Sequence, residues 1–307
     1  LFGFRYLAVN LDPVMACNLR CTMCYFTDKD YVKKLKGILN AADRALMAKA
    51  IFHRALKLQI GCGTEPTLYK ELPALVALGK AYKIPYISLT TNANLLSHSA
   101  IKDLLDAGLN EFTISLHGVR QNTYESFMQG ADYNTFLDVF KAFGELKKQY
   151  NFKVRVNYTF NKHNFDELSE FFEVFDPKTI DVLQLRPIKK LGNTAYSDFD
   201  LSTVAPKYAM MRQSMLSICK SNQIIFMAPR QIEDFAEASN SKAALVHDYT
   251  FCYASPDFLF RPDFNWKTET FERYTHRIHW SDAIFKNIFR SANKIKSVSY
   301  KLNYELS

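Results

Sequence analysis

Three cysteines fall within one eight-residue stretch, Cys17-Asn18-Leu19-Arg20-Cys21-Thr22-Met23-Cys24, spaced C-x3-C-x2-C. Thiolates are ligands for soft metals, and here the number three carries the argument. A four-iron cubane held by three cysteines keeps one iron open to nitrogen and oxygen donors of another molecule, whereas a fourth cysteine would leave mainly an electron carrier. Zinc asks for tetrahedral closure, usually by ligand pairs on separate knuckles. No second cysteine pair exists, because Cys62, Cys219 and Cys252 stand alone. A zinc site would have to borrow Cys62 or a histidine. This scatter is not a secreted disulfide framework, so a reducing, cytoplasmic setting is expected.

Ligands on a loop need a scaffold to aim them. Up to about Lys190, short aliphatic or β-branched runs alternate with stretches of helical periodicity, the pattern of βα units around a parallel sheet. Six strands are predicted, at Tyr6–Leu11, Lys57–Gly61, Tyr86–Thr90, Glu111–Leu116, Lys153–Thr159 and Val182–Arg186. Outer helices are predicted over Leu72–Tyr82, Ser99–Ala107, Tyr133–Gln149 and Phe165–Phe175, where apolar residues recur near i, i+3, i+4 and i+7. Parallel βα sheets carry their sites at the carboxyl ends of the strands, and each run here ends in a polar cluster. The expected fold is α/β, a partial (βα)6 TIM-like barrel over residues 1–192. A small C-terminal α+β appendage over 193–307 follows a polar run that begins at Gly192-Asn193-Thr194.

With the cysteine loop following the first strand, the sequence resembles the radical S-adenosylmethionine (SAM) superfamily. Gly61-Cys62-Gly63-Thr64-Glu65-Pro66 resembles that family's Gly-Gly-Glu-Pro segment, with Thr64 in place of a glycine. Thr91-Asn92-Ala93 is similar to its Thr-Asn-Gly, and Ser115-Leu116-His117-Gly118 to its ribose and carboxylate region. Asn157 on the fifth strand and Arg186 on the sixth sit where relatives place polar groups facing SAM. The resemblance implies one [4Fe-4S] cluster on Cys17, Cys21 and Cys24. It implies SAM contacts from Met23, Gly63, Thr64, Glu65, Pro66, Asn92, Ser115, His117, Asn157 and Arg186. It further implies reductive cleavage of SAM to a 5′-deoxyadenosyl radical that takes hydrogen from the substrate, with a reductant such as flavodoxin or ferredoxin.

Cys252–Trp266 and His279–Phe285 resemble parts of the SPASM or twitch appendage of peptide- and sugar-modifying relatives. Such appendages use several further cysteines for extra clusters, and only Cys219 and Cys252 lie in this region, so no auxiliary cluster is expected. Cys252 is either a small buried hydrophobe or a hydrogen-atom donor to a substrate radical. In the same region a helix is predicted over Pro206–Ser221, a hairpin around Phe258–Trp266 and a helix near Trp280–Asn293. Lys189 and Lys190, after the sixth strand, are either point charges for a substrate phosphate or carboxylate, or simply exposed lysines.

At 307 residues and 48% hydrophobic composition the chain is long enough for a large core, which excludes a disordered or fibrous class. No apolar run approaches the roughly 18 residues of a membrane span, so no membrane partner is expected. The opening Leu1-Phe2-Gly3, without Met or a signal-peptide pattern, reads as a trimmed N-terminus. Against 31 acidic residues the 39 basic ones give +8, but they are dispersed except for a basic stretch over Lys286–Lys301. The expected partner is a peptide or small polar metabolite that loses a hydrogen. An enzyme acting on RNA and a non-enzymatic zinc- or cluster-stabilised binding protein are the alternatives.

Overall fold

A computed structural model describes residues 4–190, 192–232, 250–282, 285 and 305–306. Its centre is one ten-stranded sheet in the order β10-β7-β6-β5-β4-β3-β2-β1-β8-β9. The strands are β1 (Leu7–Leu11), β2 (Ala55–Ile60), β3 (Tyr86–Thr91), β4 (Glu111–Leu116), β5 (Lys153–Phe160), β6 (Val182–Pro187), β7 (Ile225–Ala228), β8 (Phe251–Ser255), β9 (Phe258–Leu259) and β10 (Glu305–Leu306). From β8 through β1 to β7 every pairing is parallel, while β9 and β10 add antiparallel at the two edges. All six predicted strands are present, within two residues at their ends. The C-terminal third also supplies strands to both edges of that sheet: β7 lies beside β6 and β8 beside β1.

The helices are α1 (Lys29–Val32), α2 (Ala41–Ile51), α3 (Leu72–Ala81), α4 (His98–Asp106), α5 (Gln121–Phe127), α6 (Tyr133–Leu146), α7 (Phe171–Val174), α8 (Ala205–Ser221) and α9 (Phe271–Arg277). The start of α6 is set by Asp132, whose carboxylate accepts from the Thr135 N–H. Its buried face carries Phe136, Phe140 and Phe143. Phe143 meets Phe112 of β4 at a ring-centroid distance of 4.9 Å, and Phe140 meets Phe175 at 4.8 Å. Each buried phenylalanine contributes about 1.5–3 kcal/mol, more than the few tenths per residue of helix propensity, so this aromatic layer is what fixes α6. Over Phe165–Phe175 the expected single helix is a 3-10 stretch, Asp166–Glu170, followed by the short α7. The helix predicted over Pro206–Ser221 is α8, but the hairpin predicted around Phe258–Trp266 lies one strand earlier: Phe258–Leu259 is the second strand of the β8–β9 pair, and residues 260–266 are turns and loop. Most of the helix predicted near Trp280–Asn293 lies outside the described residues.

Strand alternation divides the sheet into two unlike faces. Leu7, Val9, Leu58, Ile60, Ile87, Leu89, Phe112, Ile114, Val154, Val156, Leu183 and Leu185 are fully buried and form one face. The register aligns the opposite face as Gln59 with Ser88, Thr90 with Thr113, Ser115 with Asn157 and Thr159 with Arg186. A closed TIM barrel fills its interior with branched aliphatics. This polar lining belongs instead to a barrel whose inside receives something else.

Candidate active site

The cysteine loop leaves β1 at Asp12 and is pinned from several directions. The Arg20 guanidinium donates to the Cys17 and Leu19 carbonyls, each at 2.8 Å. Backbone N–H groups of Arg20 and Thr22 donate to the carbonyls of Gln129 and Phe127, both at 2.9 Å, tying the loop to the end of α5. The Asn92 amide donates to Asn18 Oδ1 at 2.9 Å from the end of β3. Two sulfurs accept backbone N–H groups: Cys17 Sγ from Leu19 at 3.4 Å and Cys24 Sγ from Phe26 at 3.5 Å. Burial pushes the Cys17 thiol up to about 11, and it raises Cys21 and Cys24 as well. Three thiolates gathered here therefore call for a cationic group between them. Among the described residues no three His, Cys, Asp or Glu form a group that could hold a metal ion. A cubane, by contrast, spreads its cysteine ligands over separate irons.

All three cysteines open onto a cavity of about 300 Å³ at the carboxyl ends of the strands. Met23, Gly63, Thr64, Glu65, Asn92, Ser115, His117, Asn157 and Arg186 line it together with them. Nine of the ten residues expected to face SAM thus converge on one space. Three polar atoms on this wall, Thr90 Oγ1, His117 Nδ1 and Asn157 Oδ1, are enclosed without a hydrogen-bond partner among the described residues. Buried polar atoms are ordinarily paired, so these three mark where a bound group would supply the partner. Burial, with Arg186 nearby, pushes His117 down to about 4, so its ring is neutral at physiological pH. This donor set fits an iron–sulfur cluster and a polar ligand chelated beside it.

Two expected contacts have other work. Pro66 is not on the cavity wall; it opens the 3-10 turn Pro66–Leu68, and its ring lies under Gly61. Gly61 has φ +80°, and a Cβ there would come within 2.4 Å of the Thr90 carbonyl, so only glycine makes this turn. Glu65 does reach the wall, yet both its oxygens are already engaged. Oε1 accepts from Thr91 Oγ1 at 2.7 Å and Thr67 Oγ1 at 2.6 Å, and Oε2 accepts from the Asn92 N–H at 2.8 Å. Its carboxyl is pushed up by burial, and these hydrogen bonds draw it back only in part. Glu65 therefore joins the β2 loop to the end of β3.

Cys252 is separated from the site by alternation. It pairs with Val9, is fully buried on the apolar face, and is not on the wall of the main cavity. Its neighbour Tyr253 pairs with Asn10 and faces the other way. A hydrogen donor has to reach its radical, and the placement of Cys252 is that of a small core residue. Cys219 is likewise fully buried, on α8.

Asp12 stands out among residues that the sequence did not single out. Its carboxylate is 1% exposed and accepts from the Cys62 N–H at 2.8 Å, the Gly63 N–H at 3.2 Å, Thr64 Oγ1 at 3.0 Å and Tyr253 OH at 3.0 Å. The Cys62 thiol donates to it as well, at 3.4 Å. Thr64, which departs from the family's glycine, has a use here as one of these donors. Tyr25, directly after the last cysteine, donates its hydroxyl to the Gly63 carbonyl. A second cavity, of about 250 Å³, lies on the β8 side and shares Tyr25, Cys62, Gly63 and Thr64 with the first. Thr90 and Thr159 also line the main cavity. Both lie two residues from an expected contact, a spacing that keeps strand residues on one face. After β6, the chain returns over the cysteine loop. The Tyr196 N–H donates to the Thr22 carbonyl and the Ala195 N–H to Thr27 Oγ1, both at 2.9 Å, covering Met23 with Tyr196 and Phe199.

Comparison with known proteins agrees with this geometry. The family model of the Radical SAM superfamily matches residues 13–175. A probable GTP 3′,8-cyclase of Sulfolobus acidocaldarius is 28% identical over 207 residues, covering 66% of this chain and 64% of that protein. Another, of Metallosphaera sedula, is 30% identical over 186 residues, covering 61% and 56%. The chain thus spans less than two thirds of the length of these relatives. Streptococcus suis SuiB bound to S-adenosylmethionine matches with a TM-score of 0.64 at 19% identity, over 97% of this chain and 72% of that one. Native anSMEcpe with bound AdoMet matches at 0.53 and 21% identity, over 70% and 61%. At such identities the two structures speak for the fold. With more than half its length matched by the family model, and with three cysteines and a polar wall at the strand ends, the chain belongs to the radical SAM superfamily, whose enzymes use a [4Fe-4S] cluster and SAM.

Proposed function

We propose that Cys17, Cys21 and Cys24 hold the cluster, that SAM occupies the main cavity, and that the substrate is a small polar metabolite. The observation that carries this reading is the convergence of three thiols and three unpartnered polar atoms, those of Thr90, His117 and Asn157, on one cavity. When bound, the cluster and SAM together supply a radical able to take hydrogen from an unactivated carbon. The remaining tasks fall to the chain. Asn92 braces the cysteine loop through Asn18, while Asp12 and Glu65 fix the loop after β2 that presents Gly63 and Thr64. Ser115, Asn157 and the neutral His117 offer hydrogen bonds from β4 and β5. The segment from 192 to 199 lies over Met23 and keeps water from the cysteine loop.

A small metabolite is favoured over a peptide by the relatives named for GTP 3′,8-cyclisation. GTP is accordingly the first substrate to offer. In anaerobic reactions with reductant and SAM, a small-metabolite enzyme releases 5′-deoxyadenosine faster when its metabolite is present and consumes that metabolite. Turnover stimulated only by peptides would refute the substrate class and leave the SAM chemistry standing.

A further inference from the structure

Among the described residues, two cations at the end of β6 have no carboxylate to answer them. Arg186 and Lys189 both line the main cavity, and neither has an ion-pair partner among the described residues. The neighbouring lysine across the strands, Lys162, is by contrast paired with Asp198. Among the described residues Glu65 is the one acid on the cavity wall, and its oxygens are held by Thr67, Thr91 and Asn92. The intended occupants leave this charge standing. SAM brings a sulfonium, an ammonium and a single carboxylate, so its net charge is positive, and the oxidised cluster on three thiolates offsets about that much. Arg186 is cation enough for the SAM carboxylate. Lys189 is left over, at a rim open enough for a second molecule.

Building on the proposed small-metabolite reading, we infer that Lys189 holds an anionic group of the substrate, a phosphate or a carboxylate. A lysine suits this task as a point charge on a flexible stem. Lys190 provides the contrast, since it is the same residue type one position on, also exposed but not on the cavity wall. Generic surface attraction would draw on both lysines alike, whereas a subsite draws on Lys189 alone.

The test uses the cluster-loaded protein saturated with SAM, titrated calorimetrically under anaerobic conditions with inorganic pyrophosphate and, separately, with succinate. Saturable binding of either anion is expected, weakened roughly tenfold or more by Lys189→Met, the loss of one charge-assisted hydrogen bond. Lys190→Met should leave that affinity unchanged, and Lys189→Arg should retain much of it. Pyrophosphate binding alone assigns a phosphate-bearing substrate, and succinate binding alone assigns a carboxylate. Equal weakening by the two methionine variants, or no saturable binding of either anion, overturns the inference. If SAM is still bound and cleaved in that event, the proposed function survives without it.

Discussion

Replacing Asp12 with alanine should destabilise the protein substantially and loosen the loop after β2. The carboxylate gathers two backbone N–H groups, two hydroxyls and a thiol, all within 3.4 Å, at a site 1% exposed. At about 1 kcal/mol for each lost bond, and with its donors left facing a void, the cost is roughly 3–5 kcal/mol. For a chain of this size, that lowers the melting temperature by roughly 5–8 °C. Asp12→Asn keeps one carbonyl oxygen as an acceptor and should lose about half as much. Thermal unfolding followed by circular dichroism reads the difference, and SAM affinity should fall in the same order because Gly63 and Thr64 lose their anchor. An Asp12→Ala protein melting within about 2 °C of the parent would refute this view of the β2 loop.

Other consequences are open to direct measurement. Ala93 is fully buried with φ 67°, in the left-handed region that glycine occupies at no steric cost. Ala93→Gly relieves about 1–2 kcal/mol of that strain and forfeits about 0.8 kcal/mol of methyl burial; a small rise in urea midpoint is expected, and a fall would contradict it. Because the folded His117 ring is pushed down to about 4 from an ordinary 6.5, the unfolded chain takes up its proton first. The stability this ring confers is fully present above pH 6.5 and is lost as pH falls from there toward 4, by about 2 kcal/mol at pH 5. In the cluster-free protein His117→Gln should flatten that slope; an unchanged slope in urea midpoints would disprove the assignment.

The sequence made the scaffold legible because strand and helix periods alternate cleanly, and the cysteine spacing named its own chemistry. The polar residues facing the cavity were legible in part, at Asn157 on β5 and Arg186 on β6, whereas Thr90 and Thr159 read as ordinary strand residues. The roles of Asp12, Glu65 and Pro66 were not. Asp12 stands 50 residues before Cys62 and 241 before Tyr253, and only the pairing of β1 with both β2 and β8 brings these donors together. Glu65 sits in a motif that suggests ligand contact, yet its oxygens are consumed by Thr67 and the end of β3. Cys252 was decided by parity along one strand, and a shift of one residue would have turned it inward. The C-terminal strands were obscure for a related reason. β7 and β8 are only four and five residues long and take their stability from sheet edges formed much earlier in the chain.

The central claim is that the three cysteines of the first loop build the centre at which SAM is cleaved. Its most direct test is anaerobic iron counting together with reductant-dependent release of 5′-deoxyadenosine, comparing the parent with the Cys17→Ala, Cys21→Ala, Cys24→Ala triple variant. About four irons per chain are expected, as a single cubane requires, with deoxyadenosine formation that disappears in the variant. Bound zinc without SAM cleavage, or cleavage that persists after all three cysteines are removed, would contradict it.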